Sequence, residues 1–193
     1  MSILALTSNT LIGTAAAGNI EYNGQFYGTD SAASRAQLQR ITQGTAVAST
    51  SGTSIDFTSL PAWVKKITVM FQGVSTNGGS IVIIQLGTGS TTYTTSGYLG
   101  SAASNATIAN YTTGMATTAA RGTAYVNHGA TTITNITGNS WVASGTMGNS
   151  DSAIMSYSGS SIALGAALTA VRITTVNGTD TFDAGSINIL YEG

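Results

Sequence analysis

The clearest alternation of apolar and polar residues in the chain runs from Lys66 to Gln72. Every second residue of this run is apolar and falls on one face of an extended chain, which predicts a half-buried β-strand. These apolar residues are Ile67, Val69 and Phe71. Ile81–Leu86 is apolar on both faces and predicts a strand that is covered on both sides. The turn residues Asn77-Gly78-Gly79 lie between the two runs and predict that they form a hairpin.

Seven further runs towards the C-terminus have the length and composition of short strands. They are Gly122–Val126, Thr131–Ile136, Ser140–Ser144, Ala153–Tyr157, Ser161–Leu164, Ala170–Val176 and Ser186–Tyr191. Asn177-Gly178 is a further turn pair between the last two runs. About a dozen short strands at roughly ten-residue spacing are typical of a β-sandwich or a jelly roll. We therefore predict an all-β protein whose β-sandwich or jelly-roll domain covers residues 43–193.

Residues 18–29 carry a separate hairpin signal. Asn23-Gly24 favours a two-residue type I′ turn, since both of its central positions need positive φ. The residues flanking this turn are candidate contacts of an attachment segment, namely Ile20, Tyr22, Phe26 and Tyr27. Residues 31–40 have a mild helical character. Because a lone hairpin is only marginally stable in water, we predict that residues 1–42 attach the chain to a partner or to further copies of itself.

The stretch Gly97–Ala120 is rich in Gly, Ala, Ser and Thr, and it predicts long exposed loops that are suited to variable contacts. Three tyrosines in or near it are candidate surface or receptor contacts: Tyr93, Tyr98 and Tyr111. Trp63 and Trp141 are more typical of core or interface anchors than of a sugar-binding surface. Arg121 and Arg172 are candidates for ion pairs between subunits.

Only 7% of the residues are charged, whereas Thr and Ser supply 32 and 23 of the 193 positions. This composition lacks the Glu, Lys, Arg and Leu of a helical bundle, and six Lys and Arg are too few for binding nucleic acid through its phosphates. Few charges are available to protect edge strands from unwanted pairing, so we expect a homo-oligomer that buries them. The first twelve residues do not resemble a signal peptide, and no apolar run is long enough for membrane insertion.

Candidate catalytic chemistry is sparse. The chain has no cysteine, and His128, its one histidine, has no nearby partner for metal binding or proton transfer. Asp180 and Asp183 are a carboxylate pair, a feature of glycosidases and of calcium sites, but a turn role is the favoured interpretation. No Gly-x-Ser-x-Gly elbow or phosphate-binding loop occurs. We therefore expect a non-enzymatic protein with no catalytic residues, cofactor or metal, and leave open whether Asp180 and Asp183 bind an ion.

Two segments carry a family resemblance. One is Gly18-Asn19-Ile20-Glu21-Tyr22-Asn23-Gly24 with Phe26-Tyr27, continuing to Arg35, and the other runs from Ser49 to Leu86 and includes Pro61-Ala62-Trp63-Val64. They resemble, respectively, short units of tailed-bacteriophage tail-fibre and related virion proteins, and the opening of a C-terminal domain found at the distal ends of phage tail fibres and in prophage structural proteins. Together they cover about sixty residues.

The resemblance implies a homotrimeric virion protein that is made in the host cytoplasm. Its N-terminal segment would contact other virion proteins, and its terminal domain would bind a host glycan or surface protein. A long fibre would carry a stalk of repeats between its anchor and its tip. In this sequence the attachment segment is followed almost directly by the sandwich. We therefore expect a short tail fibre or a fibre tip. The alternatives are a trimeric capsid decoration (cement) protein and, ranked below it, a glycan depolymerase.

Overall fold

The computed structural model describes residues 16–23, 25–105, 107–120, 122–123 and 125–193. Within these ranges the protein is all-β and contains no helix, so none of them forms a helix that is long and apolar enough to cross a membrane. The chain forms two compact units, Met1–Arg40 and Ile41–Gly193. Residues 41 and 42, which we assigned to the attachment segment, pair with the C-terminal strand of the second unit.

The described part of the first unit is a three-stranded antiparallel sheet of β1 (Ile20–Tyr22), β2 (Phe26–Thr29) and β3 (Arg35–Gln37). Tyr22 pairs with Phe26, so three residues connect β1 to β2 where the sequence predicts a two-residue turn. The helical character expected for residues 31–40 is wrong, because β3 lies there. The Asp30 side chain accepts hydrogen bonds from the N–H groups of Ala32 and Ser34, both at 2.9 Å, and thereby turns the chain back onto β2.

The second unit contains thirteen strands in the described residues. They are β4 (Ile41–Gln43), β5 (Val47–Ala48), β6 (Ser54–Phe57), β7 (Lys66–Thr76), β8 (Val82–Gly87), β9 (Leu99–Ser104), β10 (Thr107–Asn110), β11 (Met115–Ala116), β12 (Asn127–Thr137), β13 (Ser140–Asn149), β14 (Met155–Ala163), β15 (Ala170–Thr175) and β16 (Phe182–Glu192). A nine-stranded sheet has the order β10-β9-β14-β13-β12-β7-β16-β4, with β5 also paired to β16. A four-stranded sheet has the order β11-β8-β15-β6.

One hydrophobic cluster contains residues of both sheets, which confirms the predicted β-sandwich. The alternation in β7 is confirmed as well, since Ile67, Val69 and Phe71 are buried while Thr68 and Met70 between them are partly exposed. Trp141 lies in this core, and Trp63 packs against its margin with its ring 5.7 Å from that of Tyr191. Burial of these large side chains is the main term that stabilises the fold.

Strand β8 is buried at all six positions, as its two apolar faces predict. Its even-numbered residues belong to the main core, whereas Ile83 faces the other way and packs in a second cluster with Ala102, Ala116 and Ala119. The segment from residue 111 to residue 120 therefore covers part of the outer face of β8. The expectation that Gly97–Ala120 forms exposed loops is wrong, because this stretch contains β9, β10 and β11 and is buried from residue 114 to residue 119.

Three other local predictions fail. The runs on either side of residues 77–79 do not form a hairpin, since β7 and β8 belong to different sheets. No strand forms among the described residues of Gly122–Val126, and the runs predicted at Ala153–Tyr157 and Ser161–Leu164 are parts of the single strand β14. The remaining predicted strands lie within or overlap β12, β13, β15 and β16.

The strands of the sandwich pair in a nested order once β9, β10, β13 and β14, which extend the large sheet beyond β12, are set aside. The first strands, β4 and β5, pair with the last, β16. The next inward pairs are β6 with β15, β7 with β12, and β8 with β11. These strands of the second unit thus pair like the two arms of one long hairpin that is divided between two sheets, with β16 also pairing to β7 and β15 to β8.

Candidate functional site

A polar groove lies on the outer face of the four-stranded sheet. Arg172 of β15 pairs in register with Gln85 of β8 on one side and with Asp56 of β6 on the other. Thr174 lies two residues further along β15 and therefore shares this face. The groove has a volume of about 320 Å³. We refer to it as the outer-sheet groove, and the polar residues that line it include Thr53, Gln85, Thr113, Arg172, Thr174 and Asn177.

Hydrogen bonds hold the walls of this groove to its floor. Gln85 Nε2 donates to the carbonyl oxygen of Thr113 at 2.9 Å, which ties the covering segment 111–120 to β8. On the opposite side, Thr174 Oγ1 donates to the carbonyl oxygen of Thr53 at 2.8 Å. The groove is therefore a built feature of the sheet and its flanking segments, and its side chains are held in fixed positions.

Arg172 is the charged centre of the outer-sheet groove. Its Nε donates to Asp56 Oδ1 at 2.8 Å and its Nη2 donates to Oδ2 at 2.7 Å, a bidentate pair that fixes the guanidinium plane. The hydrogen bond to Asp56 raises the pKa of Arg172. The guanidinium carbon also lies 4.0 Å from the centre of the Tyr93 ring, within the range of a cation–π contact. A Cβ at Gly87 would lie 3.0 Å from this ring, so glycine lets the ring lie against β8.

The three tyrosines predicted as surface contacts have different environments. Tyr93 is half-exposed beside the groove, and burial raises its pKa, with a further increase from the negative charge of Asp56. Tyr98 is fully buried, so the prediction that it is a surface contact is wrong. Its hydroxyl accepts a hydrogen bond from the Leu86 N–H at 2.7 Å, and burial raises the pKa of Tyr98 to about 12. Tyr111 is partly buried, and its hydroxyl donates to the carbonyl oxygen of Ala119 at 3.3 Å.

Arg172 has a carboxylate partner, Asp56, in its own chain, and an additional pairing with an acid of another subunit stays a prediction. Arg121 lies outside the described residues. Asp56 stands 116 positions before Arg172, so no local sequence pattern connects the two residues. Each residue lies in a stretch that could form a short strand. Such a stretch does not indicate its neighbour in the sheet.

An exposed apolar surface occupies the outer face of the nine-stranded sheet near its β10 edge. Ile108 of β10 and Tyr157 of β14 flank Ala103 of β9 in register. Met155 and Leu99 lie on the same face, because they are an even number of residues from Tyr157 and Ala103. Their exposed fractions are large: 71% for Leu99, 72% for Ile108, 61% for Met155 and 64% for Tyr157. We refer to these four residues as the apolar edge surface.

The ionisable residues that we weighed for chemistry have structural partners. His128 is exposed at the start of β12, where its Nδ1 accepts from the Gly73 N–H at 3.2 Å. Asp180 Oδ1 accepts from Asn177 Nδ2 at 2.6 Å within its own turn, and its Oδ2 accepts from the Ser80 N–H at 2.9 Å, which also joins the turn to a distant connection. Asp183 accepts from the Ser75 hydroxyl. No group of three or more His, Cys, Asp or Glu in the described ranges is arranged to hold a metal ion.

The four candidate contacts of the attachment segment lie on β1 and β2. Ile20 and Phe26 are exposed, at 71% and 45%, while Tyr22 and Tyr27 are half-buried. The Tyr22 and Phe26 rings lie 5.0 Å apart across the strand pair. Two large apolar side chains are thus presented to solvent by a small sheet, but their role in attachment stays a prediction.

No protein-family model, curated protein or solved structure matches the chain. The resemblance to phage virion proteins therefore rests on the sequence segments described above. What the chain does has to be argued from its own surfaces, of which the outer-sheet groove and the apolar edge surface are the best defined.

Proposed function

We propose that this chain is a non-enzymatic structural subunit of a bacteriophage virion: a short tail fibre or fibre tip that assembles as a homotrimer and attaches to the host surface. Residues 1–42 would join it to other virion proteins, and the β-sandwich would present the host-binding surface. The proposal takes the virion setting from the sequence resemblance and the assembly from the surface of the sandwich.

The apolar edge surface is the observation that carries the proposal of assembly. Four large side chains that are each more than 60% exposed present on the order of 400 Å² of apolar area on adjacent strands. A typical stable interface buries about 800 Å² on each partner, so this surface would supply about half of one. A patch of this size matches the largest one on a typical monomeric protein, and such patches are often interaction sites. Burial against another copy removes it from water and also covers the free edge of β10.

The nested pairing of strands supports the virion setting. We infer that the strands that pair from the outside inwards follow an eight-stranded jelly-roll plan in which β4 and β5 together take one place beside β16, with β9, β10, β13 and β14 as an added extension. Jelly rolls occur in viral capsid and lectin domains, among others. This is a likeness of architecture, and architecture alone does not determine function. It agrees with the resemblance of the Ser49–Leu86 segment without depending on it.

Immunogold electron microscopy of phage particles tests this function. An antibody raised against the purified chain would be applied to particles released from cells that encode it. We expect label at the distal end of the tail. Label over the head would favour the decoration protein instead, and intact particles without label would refute the virion assignment. Particles disrupted before labelling provide the control for a hidden epitope.

A further inference from the structure

We propose that the outer-sheet groove binds an uncharged carbohydrate, with Arg172 and Gln85 as its principal contacts. This inference deepens the proposed function and rests on it, because it names the ligand class that the attachment subunit would recognise. The chemistry of the groove itself selects this class, in three respects: free hydrogen-bonding atoms, rigidity and lack of net charge.

The floor of the groove offers hydrogen-bonding atoms that the fold does not use. Arg172 donates to Asp56 through Nε and Nη2, and its Nη1 makes no hydrogen bond to the described residues. Gln85 donates to Thr113 through Nε2, and its Oε1 accepts no hydrogen bond from the described residues. A donor and an acceptor therefore lie side by side, since Arg172 and Gln85 are register partners. Sugar hydroxyls both donate and accept, so one ring can satisfy both atoms.

The contacts are held in place before a ligand arrives. Asp56 fixes the guanidinium from one side by two hydrogen bonds, and the Tyr93 ring lies 4.0 Å from it. The Gln85 amide is fixed by its bond to Thr113. A site whose side chains are already ordered loses less conformational entropy on binding. This matters for a ligand such as a sugar, which offers many weak polar contacts and little apolar area.

The charge of the groove favours an uncharged ligand. Arg172 is the one charged residue that lines it in the described part of the chain, and its charge is balanced by Asp56 at 2.7 Å. An acidic ligand would gain from the guanidinium but would be repelled by the neighbouring carboxylate. The other lining groups are mainly hydroxyls and amides, and Val176 is the only large aliphatic residue among them.

The geometry disfavours a peptide strand as the occupant. The groove lies over β15, whose two edges are already paired with β6 and β8, so its backbone offers no ladder for an added strand. With one large aliphatic side chain in the lining, there is also no pocket for apolar anchors. The volume of about 320 Å³ lies at the lower end of the range for ligand sites, which fits a short stretch of a sugar chain.

The test is binding of the full chain to an array of printed oligosaccharides, both neutral ones built from hexoses and N-acetylhexosamines and acidic ones that contain uronic acid. We expect binding to neutral members, and we expect Arg172→Gln to weaken it by at least about tenfold. Lys66→Gln is the matched control, because Lys66 forms an exposed ion pair with Glu192 at 3.1 Å on the other sheet. This control should bind like the wild type.

Asp56→Asn is the second variant. It leaves the Arg172 charge unbalanced while keeping the side-chain shape, so it should shift binding from neutral towards uronic acid oligosaccharides. Thermal unfolding of each variant identifies any that fails to fold. Binding of the wild type to acidic members alone, equal binding of wild type and Arg172→Gln, or no binding to any member would overturn the inference. Label on the particle without sugar binding would refute carbohydrate binding by the groove and leave the proposed function supported. Sugar binding by a chain that is absent from the particle would support carbohydrate binding and refute the proposed virion function.

Discussion

The hydrogen bond between the buried Tyr98 hydroxyl and the Leu86 N–H should contribute measurably to the free energy of unfolding. Strand β11 pairs with β8 only at Ile83 and Ile84, so the N–H of Leu86 extends beyond the end of its partner strand. The Tyr98 hydroxyl accepts that N–H at 2.7 Å in a fully buried position. Tyr98→Phe keeps the ring and leaves the N–H without an acceptor. A buried donor that loses its partner costs about 1–3 kcal/mol.

Urea unfolding of the full chain measures this cost. With an m-value of about 2 kcal/mol per molar, a loss of about 2 kcal/mol lowers the midpoint by roughly 1 M while the slope stays unchanged. Tyr191→Phe is the matched control, since Tyr191 packs against the same core and its hydroxyl bonds none of the described residues. If Tyr98→Phe costs no more than Tyr191→Phe, the hydrogen bond does not have the role that we assign to it.

The same hydroxyl links stability to alkaline pH. Burial raises the pKa of Tyr98 from 10.0 to about 12. The folded state therefore keeps its proton at a pH where the unfolded chain has lost it, so the contribution to stability is complete below pH 10 and declines as pH rises from 10 to 12. This span corresponds to about 3 kcal/mol. Unfolding measured across that range should show the decline in the wild type and a smaller one in Tyr98→Phe. Equal declines would contradict the assignment.

Three further predictions concern Gly185, where the pairing of β16 with β7 is irregular, the Asp56–Arg172 ion pair and the apolar edge surface. Gly185→Ala should cost more than about 2 kcal/mol in urea unfolding, because its φ is +89° and a Cβ would lie 2.3 Å from a backbone carbonyl oxygen. Gly178→Ala, at φ +68° in open space, is the control and should cost only about 1 kcal/mol. A double-mutant cycle on Asp56 and Arg172 should give a coupling below about 1 kcal/mol, since both side chains are about 30% exposed, and a much larger value would mean that the pair is a core element. Ile108→Asp should dissociate the oligomer in sedimentation without lowering the thermal stability of the protomer, and an unchanged oligomer would remove this surface from the interface.

The parts of the fold that could be predicted are those whose signal is contained in one strand. The alternation at Lys66–Gln72 and the apolar run at Ile81–Leu86 each specify a strand and its buried faces, and the structure agrees. The turn residues between them do not specify whether the next strand stays in the same sheet, and here it crosses to the other one. Gly97–Ala120 was mistaken for exposed loops because its buried residues are mostly small, and small residues carry little hydrophobic signal while packing closely.

The outer-sheet groove was beyond sequence inspection for a related reason. Asp56 and Arg172 meet only because β6 pairs with β15, and these two strands are far apart in the sequence. Tyr93 could be singled out as an aromatic residue in a polar stretch. The same criterion selected Tyr98, which is buried because a tyrosine whose hydroxyl is hydrogen-bonded packs as well as a phenylalanine.

We propose that further copies of the chain cover its apolar edge surface. Sedimentation equilibrium of the full chain at micromolar concentration tests this most directly. We expect a species of three times the 19.4 kDa chain mass. A single species of 19.4 kDa over the whole concentration range would contradict it.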